Sequence, residues 1–497
     1  MSANNRNKDI KRSLWNRLVP VSVRQNVGLI LCSISIIVLT GFIVGTFQIR
    51  PIVFSNNSAL DTNDVTLNVA GEVELFDLNM PHRIALEIND IEYQLMIRDF
   101  QNETEKTWIQ ADAIIDGVLV NAVGVRLKGN STLFGLRANT PGMPELPDMM
   151  LNFLGNSSFD NPSTLPLLIS FNKFVPGRLY QGYSEIAVRP ANPGSASMNE
   201  ALALQLISDS GQVSQNFSWV EFTVNGNPST TRLVLENPDL QYAYRIGQGR
   251  GVLYKSSSDN EFVYKGEDLT QYVNDFDQLN AVGSMDLAPV INLLSWLESS
   301  NDEEFDAGLA DRVDIPSFAK YVVTHELFGN FDDMAGPGRN FMLWYSLETN
   351  KFSVLNWDLN FAFMGNMMAG MAPPGGMMPP GGMMPPAGMM PPAGMMPPGG
   401  MMPPPGMMPI DINGLPGVPG LRIMMGNQLK DRFTSSDAFA DVIAEQRESL
   451  SALWNAEDAS TLIDRLLPAV AISDALNEEQ IAEDIVRLKQ VVGSMLR

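Results

Sequence analysis

Strand signals in the first half of the chain, helix signals in the second and one long uncharged apolar run near the N-terminus predict an α+β protein. Its expected architecture is two lobes behind a transmembrane helix. Strands first and helices after put a strand-rich N-lobe ahead of a mostly helical C-lobe, with a cleft between them. The boundaries read as 1–25 (basic segment), 26–49 (anchor), 50–70 (polar stalk), 71–265 (N-lobe) and 266–497 (C-lobe), and 497 residues suffice for this division.

The basic segment runs against the net charge of −23: Arg6, Lys8, Lys11, Arg12, Arg17 and Arg24 face only Asp9. Residues 26–49, "NVGLILCSISIIVLTGFIVGTFQI", carry no charge. At ~1.5 Å rise per residue they cover the ~30 Å bilayer core. The run is too long for a signal-peptide core and reads as an uncleaved anchor. Positive charge stays in the cytoplasm, so the expectation is a single-pass membrane protein with its main body outside the cytoplasm. That body is acidic and shows no concentrated basic patch, which argues against nucleic acid as a partner. Cys32, the only cysteine, lies in the anchor, so the body has neither disulfides nor a thiol nucleophile. With only His82 and His325 as imidazoles, a Ser-His-Asp triad or a histidine zinc site is not expected.

Within 71–130, "HRIALEI", "EYQLMI" and "ADAIIDGVLVNAVGVRLKG" alternate with period two and read as strands. A Pro/Gly/Asn-rich loop (138–163) precedes strands at 165–171 and 183–189. "SMNEALALQLISDSG" (197–211) reads as a helix, with Ser197 and Glu200 as a capping box and Gly211 as its stop. "FSWVEFTVNGNPSTTRLVLE" is a hairpin turning at Asn225–Gly226, and 251–255 a further strand. Helices are expected at 286–299, 316–328, 428–456, 459–472 and 477–496.

One hairpin, 340–358, interrupts the helical half. "NFMLWYSL" and "KFSVLNWD" flank "ETN", a three-residue loop in which Asn350 tolerates the left-handed conformation. That loop sets Leu347 opposite Lys351 and hence Asn340 opposite Asp358, amide beside carboxylate on one face. Asp332 and Asp333 reach the same end through "MAGPGR". A lone Asp358 in an apolar strand is costly without partners. An Asp, an Asn and a second Asp across a hairpin form the polar set of kinase phosphoryl transfer; a plain Asp–Asn–Arg339 network closing the hairpin is the alternative.

From 366 to 410 the chain repeats a Met-Met-Pro-Pro-Gly-Gly-like unit, with Met pairs from 377/378 to 407/408. Proline and glycine at this density preclude a packed core, so this tract reads as a disordered loop. Thioether-rich sequence also suits Cu(I) as a partner.

The ordered motifs "VNAVGVRLKGNST" (120–132), "SFNKFVPGRLYQGYSEIAV" (170–188), "SMNEALALQLISDSGQVSQNFSWVEFTVNG" (197–226), "LVLEN" (233–237), "GVLYK" (251–255), "NFDDMAGPGRN" (330–340) and "NWDLNFAFMG" (356–365) resemble the CotH kinase family (spore coat protein H-like). The resemblance covers most of 75–365 and implies an atypical protein-kinase-like fold. It further implies transfer of the ATP γ-phosphate, with Mg²⁺ or Mn²⁺, to a protein substrate with Ser/Thr acceptors. By position it makes Asp332 the catalytic aspartate and Asn340 and Asp358 the metal pair, with Asn360 where many relatives carry a second Asp. Glu200 matches the acidic residue of the first helix, Glu236 falls at the hinge that would contact adenine, and Lys128 and Lys255 match recurrent basic positions. One departure stands out: no lysine lies between Gly129 and Asn172, where relatives hold phosphates. Lys173 or Lys128 is the expected substitute; if neither serves, Glu200 lacks an ion-pair partner and the chain is a pseudokinase with a binding or structural role.

Overall fold

The computed structural model describes residues 65–496, except 104–105, 130–132, 134–135, 137–156, 192–195, 248–249, 283–285, 365–407 and 411–422. The basic segment, the 26–49 anchor, the stalk up to residue 64 and nearly all of the repeat lie outside the described residues, and with them the Cu(I) reading. Among the described residues, no helix is long and apolar enough to cross a membrane.

The N-terminal half supplies β1 (Leu67–Val69), β2 (His82–Ile88), α1 (Asp90–Glu103), β3 (Ile109–Ile115), β4 (Val118–Leu127), β5 (Leu167–Ser170), β6 (Arg178–Tyr180) and β7 (Glu185–Val188). It continues with α2 (Met198–Asp209), β8 (Phe217–Val224) and β9 (Thr230–Glu236). Strands β2–β3–β4–β5–β7–β9–β8 close into a barrel, filled by Ile84, Leu86, Val123, Val125, Ile169, Val220 and Phe222 among others. The expected turn at Asn225–Gly226 is present, and a second one forms at Asp116–Gly117. Asp116–Gly117 and Asn225–Gly226 all take positive φ, as the mirror-image turns that match strand twist require. The Asn225 amide also bonds both backbone groups of Ile88 at 2.7 and 2.8 Å, extending the parallel β2–β8 pairing.

The second half contains α3 (Leu240–Gly247), β10 (Gly251–Ser256), β11 (Phe276–Gln278), α4 (Ala288–Ser299), α5 (Asp302–Gly308) and α6 (Ile315–Leu327). After these come β12 (Phe341–Ser346), β13 (Phe352–Asn356), β14 (Met408–Ile410), β15 (Ile423–Met425), α7 (Gln428–Ser435), α8 (Ala440–Leu453), α9 (Ala456–Leu466) and α10 (Glu478–Met495). A four-stranded sheet, β11–β10–β12–β13, packs on α4, α6 and α7 through Tyr254, Phe341, Leu343, Phe318 and Phe433. Helix α2 sits between the outer barrel face (Trp219, Leu233) and the C-terminal helices (Trp454, Ile463, Ile485). The mixed α+β class is therefore correct.

Several expectations are corrected. "EYQLMI" lies in α1, not a strand: Tyr93, Met96 and Phe100 recur at helical spacing, and all three pack into the barrel-side core. Ser197 makes no side-chain cap and takes the left-handed conformation, φ 56°, and the Glu200 carboxylate, which would complete a capping box, pairs with Arg189 instead. The 428–456 helix breaks at Ser436, whose extended backbone and hydroxyl cap a new turn that buries Phe439. The 459–472 helix instead runs Ala456–Leu466, starting on an Asn455 cap and ending before Pro468. The repeat's C-terminal end is ordered, since Met408–Ile410 pairs antiparallel with Ile423–Met425.

The 340–358 hairpin is one residue out of the expected register. Phe341 faces Asn356 and Tyr345 faces Phe352, so the ladder does not set Asn340 against Asp358. The cause is the third strand. Leu347 N–H bonds Arg250 O at 3.0 Å instead of crossing the hairpin, which leaves Ser346 to meet Lys351 and lengthens the loop. Asn350 does take the left-handed conformation, at φ 57°.

Candidate active site

The loop after α6 carries Asp332, Asp333 and Asn340, all buried. Asn340 Nδ2 donates to Asp332 O at 3.0 Å and to Asp332 Oδ2 at 2.9 Å. Gly338 N–H donates to Asp332 Oδ1. A Cβ on Gly338 would stand 2.6 Å from Asp332 Oδ2 and 2.7 Å from Asn340 Nδ2, so only glycine permits this closure. Burial, helped by the charges of Asp358 and Asp333, lifts the Asp332 carboxyl to about 7 against the Gly338 bond. The result is an anchored carboxyl poised to take up a proton near neutrality. Arg339 instead donates to Gly426 O, so the plain Asp–Asn–Arg closure does not form.

Opposite this loop, one guanidinium joins three elements. Arg189, just past β7, donates through Nε to Glu200 Oε2 at 2.8 Å and through Nη2 to Glu200 Oε1, and also to Asp358 Oδ1 at 2.6 Å. Glu200 is almost fully buried on α2, and Asp358 lies beyond β13 in the left-handed region, φ 56°. Burial pulls the Arg189 pKa down, but the Asp358 and Glu200 charges outweigh it and hold the guanidinium charged. Glu200 thus has an ion-pair partner, and neither expected substitute provides it. Lys173 is exposed, its Nζ 5.4 Å from the Trp108 ring centre, while Lys128 bonds Asn237 Oδ1 at 2.8 Å. Sequence reasoning missed Arg189 because it sought a lysine before residue 172. The closing arginine of "YSEIAVR" was in view, but nothing local ties it to Glu200 or Asp358.

Trp357, beside Asp358, gathers two more cations: Lys255 Nζ lies 4.8 Å and Lys128 Nζ 5.6 Å from its ring centre. Burial, then mutual repulsion with Lys255 and Arg189, pushes the Lys128 ammonium well below its usual range. Burial likewise lowers Lys255. Arg126, stacked on Trp108 at 4.8 Å, keeps a buried Nε without a partner. Such crowding of cations favours a polyanion. Glu236 is not open to a purine as it stands. Its carboxylate pairs with Arg245 at 2.7 Å and its carbonyl accepts from Gln215 Nε2 at 2.5 Å.

Among the described residues, no three His, Cys, Asp or Glu side chains cluster as a metal site. The expected set is instead one carboxylate, Asp358, with the amides of Asn340 and Asn360. Asn360 Oδ1 is buried without a hydrogen-bond partner, two residues from Asp358. Hard oxygen donors with few carboxylates suit Mg²⁺, which is commonly held by one or two protein carboxylates plus substrate phosphates. The donor types present therefore suit the group.

The family model described as CotH kinase protein matches residues 151–390, and over this region the chain is similar to the CotH kinase family. The match takes in Glu200, Asp332, Asn340, Asp358 and Asn360, together with Arg189, and leaves Lys128 and the 120–132 motif outside. Comparison with curated proteins found no match.

Proposed function

We propose that the chain is a membrane-anchored, ATP-dependent protein Ser/Thr kinase acting on surface or envelope proteins, its two lobes being the barrel half and the helical half. The observation that carries this reading is the Arg189 bridge from Glu200 to Asp358, beside the Asp332–Asn340 network and the Lys128–Trp357–Lys255 cluster. In this reading Asp332 orients the acceptor hydroxyl and takes its proton. Arg189, Lys128 and Lys255 hold the nucleotide phosphates, with Lys173 at the margin, and Glu200 aims Arg189. Asp358, Asn340 and Asn360 would hold Mg²⁺ (or Mn²⁺), which supplies charge neutralisation at the transferred phosphoryl group. Adenine contact near Glu236 requires its Arg245 pair to open. A pseudokinase is the second reading, favoured by Asn360, which supplies one charge fewer, and by the occupation of Asp358 by Arg189.

The test is phosphate transfer from labelled ATP by the full-length chain in detergent with Mg²⁺ or Mn²⁺, against Asp358→Ala. Labelling by the wild type that the variant loses, with both chains stabilised alike before nucleotide is added, supports the kinase. Nucleotide-dependent thermal stabilisation without transfer supports the pseudokinase.

A further inference from the structure

The Asp332–Asn340 loop is held from the far side of the Met/Pro/Gly insertion. Asp333 is the loop's internal brace: its Oδ1 accepts from Ala335 N–H at 2.8 Å, and its carbonyl accepts from Gly336 N–H at 3.0 Å and Asn340 N–H at 3.2 Å. Its remaining carboxylate oxygen, Oδ2, accepts from Lys430 Nζ, in the first turn of α7. The Asp333 side chain is only 3% exposed, so without that cation a buried charge would stand beside Asp332. Two further bonds fasten the same segments together. Gly426 N–H donates to Ala335 O at 2.8 Å, and Arg339 Nη1 donates to Gly426 O. Asn427 then starts α7 by accepting from Leu429 and Lys430 N–H at 3.1 and 3.2 Å, which aims Lys430 at the loop.

We propose that Lys430 is a positioning residue for phosphoryl transfer: through Asp333 it fixes the loop that presents Asp332 and Asn340. This rests on the kinase reading above. The Lys430 ammonium bonds Asp333 and not Asp332 or Asp358, so its effect is on geometry at the reacting end and not on nucleotide capture. Misplacing a catalytic group by about 1 Å can cost ~100-fold in rate.

The experiment compares the full-length wild type with Lys430→Met, Lys430→Arg and the neutral double variant Asp333→Asn/Lys430→Met, in detergent with Mg²⁺ and ATP. The expected result is a kcat at least tenfold lower for Lys430→Met with KM for ATP within twofold. Lys430→Arg should recover most of kcat. The double variant, which keeps no buried charge and so folds even if the single variant does not, should show a kcat clearly below wild type but no lower than that of Lys430→Met. A Lys430→Met or double variant with wild-type kcat overturns the inference and leaves the kinase reading standing. So does a rise in KM for ATP that matches the fall in kcat/KM. A wild type that transfers no phosphate overturns the kinase reading and this inference together.

Discussion

Removing the Arg189 guanidinium, as in Arg189→Met, takes from Glu200 its only ion-pair partner among the described residues while keeping most of the side chain's bulk. The Glu200 side chain is 2% exposed and that of Arg189 12%, so the pair counts as buried. Breaking a buried pair by deleting one partner costs about 3–5 kcal/mol. At roughly 2.1 cal/mol/K of unfolding entropy per residue, spread over the ~450 residues of Val53–Arg497, the melting temperature should fall by about 3–5 °C. The loss should depend on pH in a definite direction. Burial already raises the Glu200 pKa, with Arg189 opposing it, so without Arg189 it rises further. A carboxyl whose folded pKa is raised costs more stability as pH climbs above the ordinary carboxylate range, so the loss should be larger at pH 8 than at pH 5. Thermal unfolding of wild type, Arg189→Met, Glu200→Gln and the double variant at both pH values tests this. The double variant should recover most of the loss at pH 8, and Arg189→Lys only part, since a single ammonium cannot serve both Glu200 oxygens and Asp358 as the fork does. A loss that is equal at pH 5 and pH 8, or a double variant as unstable as the two single losses added, would refute the bridge.

Two further outcomes follow from local geometry. His82 lies with Nδ1 2.8 Å from Asp116 Oδ2 and Nε2 2.9 Å from Asp77 O; burial pulls its pKa down, yet the Asp116 bond and the Asp77 carbonyl raise it overall. The stabilisation is thus complete below about 6.5 and fades as pH rises through the higher folded value, so His82→Gln should cost about 1.5–3 kcal/mol at pH 5.5 and clearly less at pH 9 by chemical denaturation. Gly338→Ala should force Asp332 and Asn340 apart and lower kcat at least tenfold while shifting the melting temperature by only a few degrees; unchanged kcat would show that the Asp332–Asn340 closure is not needed for turnover.

Much of the architecture could be read directly from residue patterns. Period-two alternation in "HRIALEI" marked β2, paired left-handed residues marked the Asn225–Gly226 turn, and helical spacing located α4, α6 and α10 to within about two residues. Those signals are local, carried by neighbours one to four positions apart, so they survive whatever the rest of the chain does. The misreadings came where distant partners override local preference. At Ser197 no capping box forms and Glu200 pairs with Arg189, while the 340–358 register is shifted by one residue where Leu347 bonds Arg250, just before β10.

By itself, the amino-acid sequence determined the mixed α+β class and pointed to Asp332, Asn340 and Asp358 as candidate site residues. Only the tertiary structure decided which of them meet. Asn340 bonds Asp332 and not Asp358, and Asp358 is held by an arginine 169 positions away. No propensity or spacing encodes such a contact. It exists because barrel closure carries the end of β7 to α2 and to the chain beyond β13, where a buried carboxylate must find a cation wherever the fold supplies one.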